Sequence, residues 1–180
     1  MEYFVMPTEL SAGPVVLRRA QENDAAAVTE AVEASLDYLR PWMPWATASA
    51  ATLAVQRERC RRVEELWAKG TDYIYHTWLP DGPLAGCVGA HRRIGPGGIE
   101  IGYWTHATHA GSGYATAAVR VLTPHLLRLP DVDRVEIHCD ELNVRSAAIP
   151  QRLGYRLDRI EDRDPQAPAE SRRLMIWMTP

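Results

Sequence analysis

A mixed α/β fold, with helices on both faces of a mixed sheet of about seven strands, follows from three features of this 180-residue sequence. Apolar residues recur at helical spacing through two early segments and then switch to a period of two. Three period-two runs are separated by Pro/Gly turns, which marks a meander. The last run, Ile99-Glu100-Ile101-Gly102-Tyr103-Trp104, leads within a few residues into Gly111-Ser112-Gly113-Tyr114-Ala115-Thr116 and an Ala/Val/Leu helix.

Residues 15–18 form the first predicted strand. Over residues 23–39, Ala25, Val28, Val32, Leu36 and Leu39 fall at helical spacing, with Asn23 and Asp24 suited to the helix N-terminus. Pro41 stops that helix and opens the rigid aromatic loop Pro41-Trp42-Met43-Pro44-Trp45. A second helix is expected over residues 50–69, with Leu53, Cys60, Val63 and Trp67 on one face and Gly70 as its cap. Strands follow at 73–79, 84–93 and 99–105, divided by Pro80-Asp81-Gly82-Pro83 and Gly95-Pro96-Gly97-Gly98. A helix over 114–129 contains Pro124, which is expected to kink or split it. A strand at 134–139, a helix at 143–153 closed by Gly154, and strands at 156–159 and 173–178 complete the chain. A polar loop, 161–171, joins the last two strands.

The length suits one domain spanning residues 1–180. A net charge of −3, with Lys69 the only lysine, carries no basic patch of the kind that binds nucleic acid. Cys60, Cys87 and Cys139 are odd in number and far apart, so no disulfide framework is expected. Segment 1–14 lacks the pattern of a signal peptide, and no apolar run approaches the ~18 residues of a membrane span. A cytoplasmic protein is the expectation.

A strand, a glycine turn and a helix N-terminus together make an anion cradle, because backbone N–H groups converge and the helix dipole adds positive charge. A Gly-x-Gly turn alone is weak evidence and often only caps a helix. Its place between strand and helix is what suits a phosphate.

The order of elements and these motifs resemble the GCN5-related N-acetyltransferase (GNAT) family over nearly the whole chain, and within it the RimJ/RimL-type protein N-terminal acetyltransferases. The narrower likeness lies in Trp42-Met43-Pro44-Trp45, in residues 99–104, and in Asn143-x-x-Ser146 leading to Leu153-Gly154-Tyr155. The resemblance implies the GNAT fold, with a mostly antiparallel sheet, and acetyl-CoA as cofactor. The family signature Gln/Arg-x-x-Gly-x-Gly/Ala aligns with Ala110-Gly111-Ser112-Gly113-Tyr114-Ala115, and Ala110 departs from it by removing one side-chain donor. The resemblance places the amides of Gly111, Ser112, Gly113, Tyr114, Ala115 and Thr116 at the coenzyme A pyrophosphate. It places main-chain groups of Tyr103, Trp104 and Thr105, and the side chain of Asn143, along the pantetheine. Asn143 is equally suited to cap the helix that follows it.

Acetyl transfer to an amine needs a proton acceptor, a polarised thioester oxygen and a proton donor for the leaving thiolate. The resemblance assigns Glu100 as base, directly or through water, and Ser146 as the donor. Glu100 could instead form a cross-strand ion pair with Arg92 or Arg93. A backbone amide at a bulge near Trp104 or Thr105 would hold the oxyanion. Glu136 and His138 share a strand face and stand in reserve at the acceptor side, although His138 could equally be structural. Pro150 frees the carbonyl of Ser146 and opens the helix there. Cys139 and Tyr155 read as core, and His106 and His109 lack a third partner for a metal.

In the resemblance, the Pro41–Trp45 loop and the 161–171 loop build the acceptor cleft. Trp42 and Trp45 could cover a substrate or simply cap the core, and Glu161, Asp162 and Asp164 could attract a cationic amine or merely be solvated. Three readings remain open here: acetylation of a protein or peptide N-terminus, acetylation of a small amine, or a catalytically weak coenzyme A-binding module. A homodimer is implied by resemblance alone.

Overall fold

Residues 4–180 are described in a computed structural model, so the first three residues of segment 1–14 lie outside the described residues. The chain orders β1 (Glu9–Ala12), β2 (Val15–Arg19), α1 (Ala25–Leu39), α2 (Leu53–Ala68), β3 (Asp72–Trp78), β4 (Leu84–His91), β5 (Gly97–Thr105), α3 (Tyr114–Leu126), β6 (Val132–Asp140), α4 (Val144–Arg152), β7 (Arg156–Asp162) and β8 (Arg173–Met178). One sheet runs β1-β2-β3-β4-β5-β6-β8-β7, antiparallel at every pairing except β5 with β6.

The sheet has eight strands where about seven are expected. The addition is β1, which pairs back on β2 through a turn at Gly13, where φ is +67°. Its short Leu10/Ala12 alternation ends at that turn, and both side chains are buried.

Alternation assigns the faces. Leu17, Tyr75, Val88, Ile99, Ile101 and Ile137 point one way, into a core completed by Val119, Leu122 and Leu126 of α3 and Ile149 of α4. Trp78 and Leu84 point the other way, against Val28 and Val32 of α1 and Cys60 of α2. Trp104 and Trp45 pack on this second cluster. Leu53 departs from its expected face and is 42% exposed, because α2 begins there after a separate turn of 3-10 helix at Ala48–Ala51.

Two prolines act locally. Pro124 does not split α3, which runs unbroken to Leu126 rather than to residue 129. Pro150 removes the donor for the carbonyl of Ser146, and the Tyr103 hydroxyl donates to that carbonyl instead, at 3.1 Å. The side chain of β5 is thereby tied to α4.

Candidate functional site

The pairing of β5 with β6 stops early. It covers Gly97↔Val132 to Glu100↔Glu136 and goes no further, although β5 continues to Thr105 and β6 pairs with β8 as far as Asp140. The two strands splay, and the edge of β5 from Ile101 to Thr105 faces a gap. The His106 N–H donates to the Ala85 carbonyl at 2.9 Å. By the two-residue alternation of an antiparallel ladder, Trp104 and Gly102 then direct their main-chain groups to β4, while Ile101, Tyr103 and Thr105 direct theirs into the gap. An extended ligand arm can pair with that edge as an added strand would. Of the three main-chain contacts expected, Tyr103 and Thr105 face the opening and Trp104 faces β4. The expected bulge near Trp104 or Thr105 is absent from the β4–β5 ladder, which keeps one register from Gly86↔Thr105 to His91↔Glu100. Register shifts occur elsewhere, at Gly97/Gly98 in the pairing of β5 with β6 and at Thr77/Trp78 in the pairing of β3 with β4.

At the mouth of the gap lies the glycine turn. Gly111 and Gly113 have φ of +81° and +80°, which only glycine adopts freely, and Gly113 is the N-cap of α3. The first bond of the helix runs from the Ala117 N–H to the Gly113 carbonyl, and the Ser112 and Ala110 N–H groups turn back to His109 and Ala107. The amides of Gly111, Gly113, Tyr114, Ala115 and Thr116 therefore have no backbone partner among the described residues. They lie at an exposed helix N-terminus, an arrangement that favours an anion. Asn143 caps α4, its Oδ1 accepting from the Ser146 N–H at 3.2 Å.

On the α3/α4 side of the gap, Ser146 of α4 touches β5. Its Oγ lies 3.1 Å from the Tyr103 hydroxyl of β5. Burial pushes the Cys139 thiol up to about 11, which keeps it from acting as a nucleophile. Burial likewise pushes the Tyr155 hydroxyl up to about 12, where it bonds Thr123 at 2.7 Å within the core.

The opposite face carries the charged groups. Arg93 grips Glu100 through two bonds of 2.7 Å, the cross-strand pair anticipated for this carboxylate. His138 Nε2 lies 2.6 Å from Glu136, and its Nδ1 lies 4.0 Å from Glu100. Burial pushes the Glu100 carboxyl upward. The hydrogen bonds of Arg93 and the charges of His138, Arg93 and His91 outweigh it and hold the group below the ordinary carboxylate range. Glu136 is lowered in the same manner by Arg134 and His138.

These depressed carboxyls make stability pH-dependent. A carboxyl lowered in the fold contributes stability that is present above its ordinary value and lost as pH falls through the folded value. Unfolding free energy is therefore expected to be level above pH 4.5, the ordinary glutamate value, and to fall below it. Urea unfolding at several pH values checks this: Glu100→Gln should show a shallower acid decline, and an unchanged decline would remove the pair from the account.

Sequence reasoning missed a neighbour of Glu100. His91 lies opposite it on β4, and its Nδ1 bonds Asp72 of β3 at 2.7 Å. The residue types were legible, but register, which places Asp72, His91 and Glu100 in one row, is a tertiary property.

The two loops expected to border the acceptor meet, the Ala169 N–H donating to the Pro41 carbonyl at 2.9 Å. They bound a cavity of 310 Å³ with Asp37, Arg40 and Pro168. β7 runs on to Asp162, beyond the expected 156–159, so Glu161 and Asp162 lie in the strand rather than the loop; Glu161 pairs with Arg159 of β7, and Asp164 pairs with Arg172. Trp45 packs edge-on against Trp104, with ring centroids 6.0 Å apart, and Arg59 lies over it. Trp45 is thus bound into the wall beside β5; both it and Trp42 are half-buried. Among the described residues, no three of His, Cys, Asp and Glu gather as a metal site, and no helix is long and apolar enough to cross a membrane.

Comparison with known proteins gives this geometry a context. The family described as acetyltransferase (GNAT) domain matches residues 15–156. YdaF of Bacillus subtilis (strain 168), a candidate ribosomal N-acetyltransferase, is 35% identical over 78 residues, a match spanning 43% of this chain and 43% of that protein. A RimL ribosomal L7/L12 α-N-protein acetyltransferase, solved with coenzyme A disulfide-linked to a cysteine, superposes with a TM-score of 0.86 at 20% identity, over 95% of this chain and 97% of that one. The microcin C7 self-immunity acetyltransferase MccE, solved with acetyl-CoA and AMP, gives 0.86 at 17% identity over 98% of each chain. At these identities the two structures show a shared fold.

Proposed function

The chain belongs to the GNAT acetyltransferase family, and from that premise we propose that it transfers the acetyl group of acetyl-CoA to the N-terminal α-amine of a protein or peptide. On this reading residues 1–180 form one N-acetyltransferase domain. The observation that carries it is the splay of β5 from β6, with a glycine-lined helix N-terminus at its mouth. The unpaired amides of Gly111 and of 113–116 suit the pyrophosphate, and the free edges of Tyr103 and Thr105 suit the amide-bearing arm. Because Ala110 brings no side-chain donor, the backbone supplies the grip. Bound there, acetyl-CoA supplies an activated thioester.

The chain's own residues do the rest. Ser146 stands at the gap, bonded to Tyr103, where its hydroxyl can protonate a leaving thiolate. Glu100, ionised through the neutral range, faces the acceptor side and holds the incoming amine or an intervening water. The Thr105 amide, on the open edge of β5, suits the oxyanion. Trp42, Trp45, Glu136 and His138 border the acceptor. The α-N-terminal preference draws support from the name of RimL, an α-N-protein acetyltransferase. A small-amine acceptor is the second reading, favoured by the equally close fold of MccE.

Thiol release from acetyl-CoA, followed with a panel of N-terminal peptides and a panel of small amines, tests this. Turnover on the peptides is expected. Turnover only on small amines supports the second reading, and binding without turnover on either leaves a coenzyme A-binding module.

A further inference from the structure

Glu100 is poorly suited to keep a proton. A base works best when its pKa lies near the working pH, and this carboxyl is held low by a two-bond arginine pair. The proton of the acceptor amine needs another destination on the same face.

Three imidazoles lie on that face. His76 is bonded to Asp24 at 2.7 Å and is buried beneath α1 and α2. His138 has Glu136 at one ring nitrogen and Glu100 near the other, so carboxylates flank it on both sides. His91 differs. Its Nδ1 is fixed by Asp72, and its Nε2 makes no hydrogen bond among the described residues. A carboxylate only accepts, so in the neutral ring Nδ1 carries the proton and Nε2 keeps its lone pair. The ring leans over two glycines: a Cβ at Gly89 would lie 3.1 Å from Nε2, and one at Gly102 would lie 3.9 Å from it. Gly102 belongs to the stretch of β5 that lines the gap, and its missing side chain leaves the path from Nε2 open. The charged groups facing His91 are Asp72 from β3, Arg93 just after β4, Glu100 from β5 and, beyond Glu100, His138 from β6.

We propose that His91, oriented by Asp72, is the proton acceptor of the reaction, with Glu100 as the group that positions the amine. This rests on the acetyl-transfer reading. The amine nitrogen bonds to the acetyl carbon, the carbon–sulfur bond breaks, and the amine proton passes to His91 Nε2, directly or through a water held by Glu100. The thiolate takes its proton from Ser146, and both groups exchange with solvent before the next cycle. A histidine suits this because its bare ring nitrogen can accept a proton and pass it on to water.

The test combines kinetics on a peptide substrate with 15N NMR of the imidazole in the protein alone. His91→Gln is expected to lower kcat by about 10²–10⁴-fold and to change the shape of the pH profile, with acetyl-CoA affinity unchanged. Asp72→Asn, whose amide can donate to Nδ1, should shift the proton to Nε2 and lower kcat by about 10²-fold or more. The wild-type spectrum should show Nδ1 protonated and Nε2 bare. A His91→Gln enzyme with wild-type kcat and pH profile overturns the proposal, as does a neutral ring protonated at Nε2. A wild-type enzyme that binds acetyl-CoA but acetylates no amine overturns instead the reading on which it rests.

Discussion

Gly113→Val is expected to lower coenzyme A affinity by at least about 10²-fold, through loss of several charge-assisted hydrogen bonds at about 1.5–3 kcal/mol each. Gly113 holds φ of +80° as the N-cap of α3, and a β-branched residue there costs about 1–3 kcal/mol. The backbone relieves this by leaving the left-handed region, which turns the amides of 113–116 away from their common focus. Open space surrounds the site where the new Cβ would stand, so the damage comes from conformation and not from a clash within the fold. Gly113→Ala should show a smaller loss, since alanine tolerates positive φ better than valine. Isothermal titration with coenzyme A measures both variants, and circular dichroism checks that each remains folded. Wild-type affinity in Gly113→Val would refute the cradle.

Glu100→Gln is expected to lower kcat by about 10²-fold, the cost of misplacing a reacting group. The amide keeps the shape of the side chain and one acceptor oxygen for Arg93, so the fold should survive. What disappears is the negative charge that holds the amine over Gly102. The shape of the pH profile in the neutral range should remain, because Glu100 is held below the ordinary carboxylate range by Arg93 and His138. Rate measurements across pH, with coenzyme A affinity as control, distinguish this from a binding defect. Unchanged turnover in a folded variant would remove Glu100 from the chemistry.

Much of the architecture was legible from local pattern. The meander could be read because its turns are marked by proline and glycine and its strands alternate. The strand, turn and helix around Gly111 and Gly113 could be read because positive φ demands glycine. Where local pattern is short, reading failed: β1 offers only Leu10 and Ala12 before Gly13. Pro124 suggested a broken helix, yet packing of Val119, Leu122 and Leu126 carries α3 through it. Pro150 pointed to a free carbonyl on Ser146, and Tyr103 supplies its partner from another element. The side chain of Tyr103 was invisible as a site element for that reason. His91 was missed because only register brings it beside Glu100, with Asp72 behind it. Glu100 itself was read as either base or ion-pair member. Its bond to Arg93 shows the second, and makes the neighbouring imidazole relevant to the first.

The most direct test of acetyl-CoA-dependent transfer to an α-amine follows the acetyl group itself. A peptide with a free N-terminus and an internal lysine is incubated with the protein and acetyl-labelled acetyl-CoA, and tandem mass spectrometry locates the label. The account predicts label on the N-terminal nitrogen, with coenzyme A released in equal amount. Label confined to the lysine side chain, or no label on any amine despite bound acetyl-CoA, would contradict it.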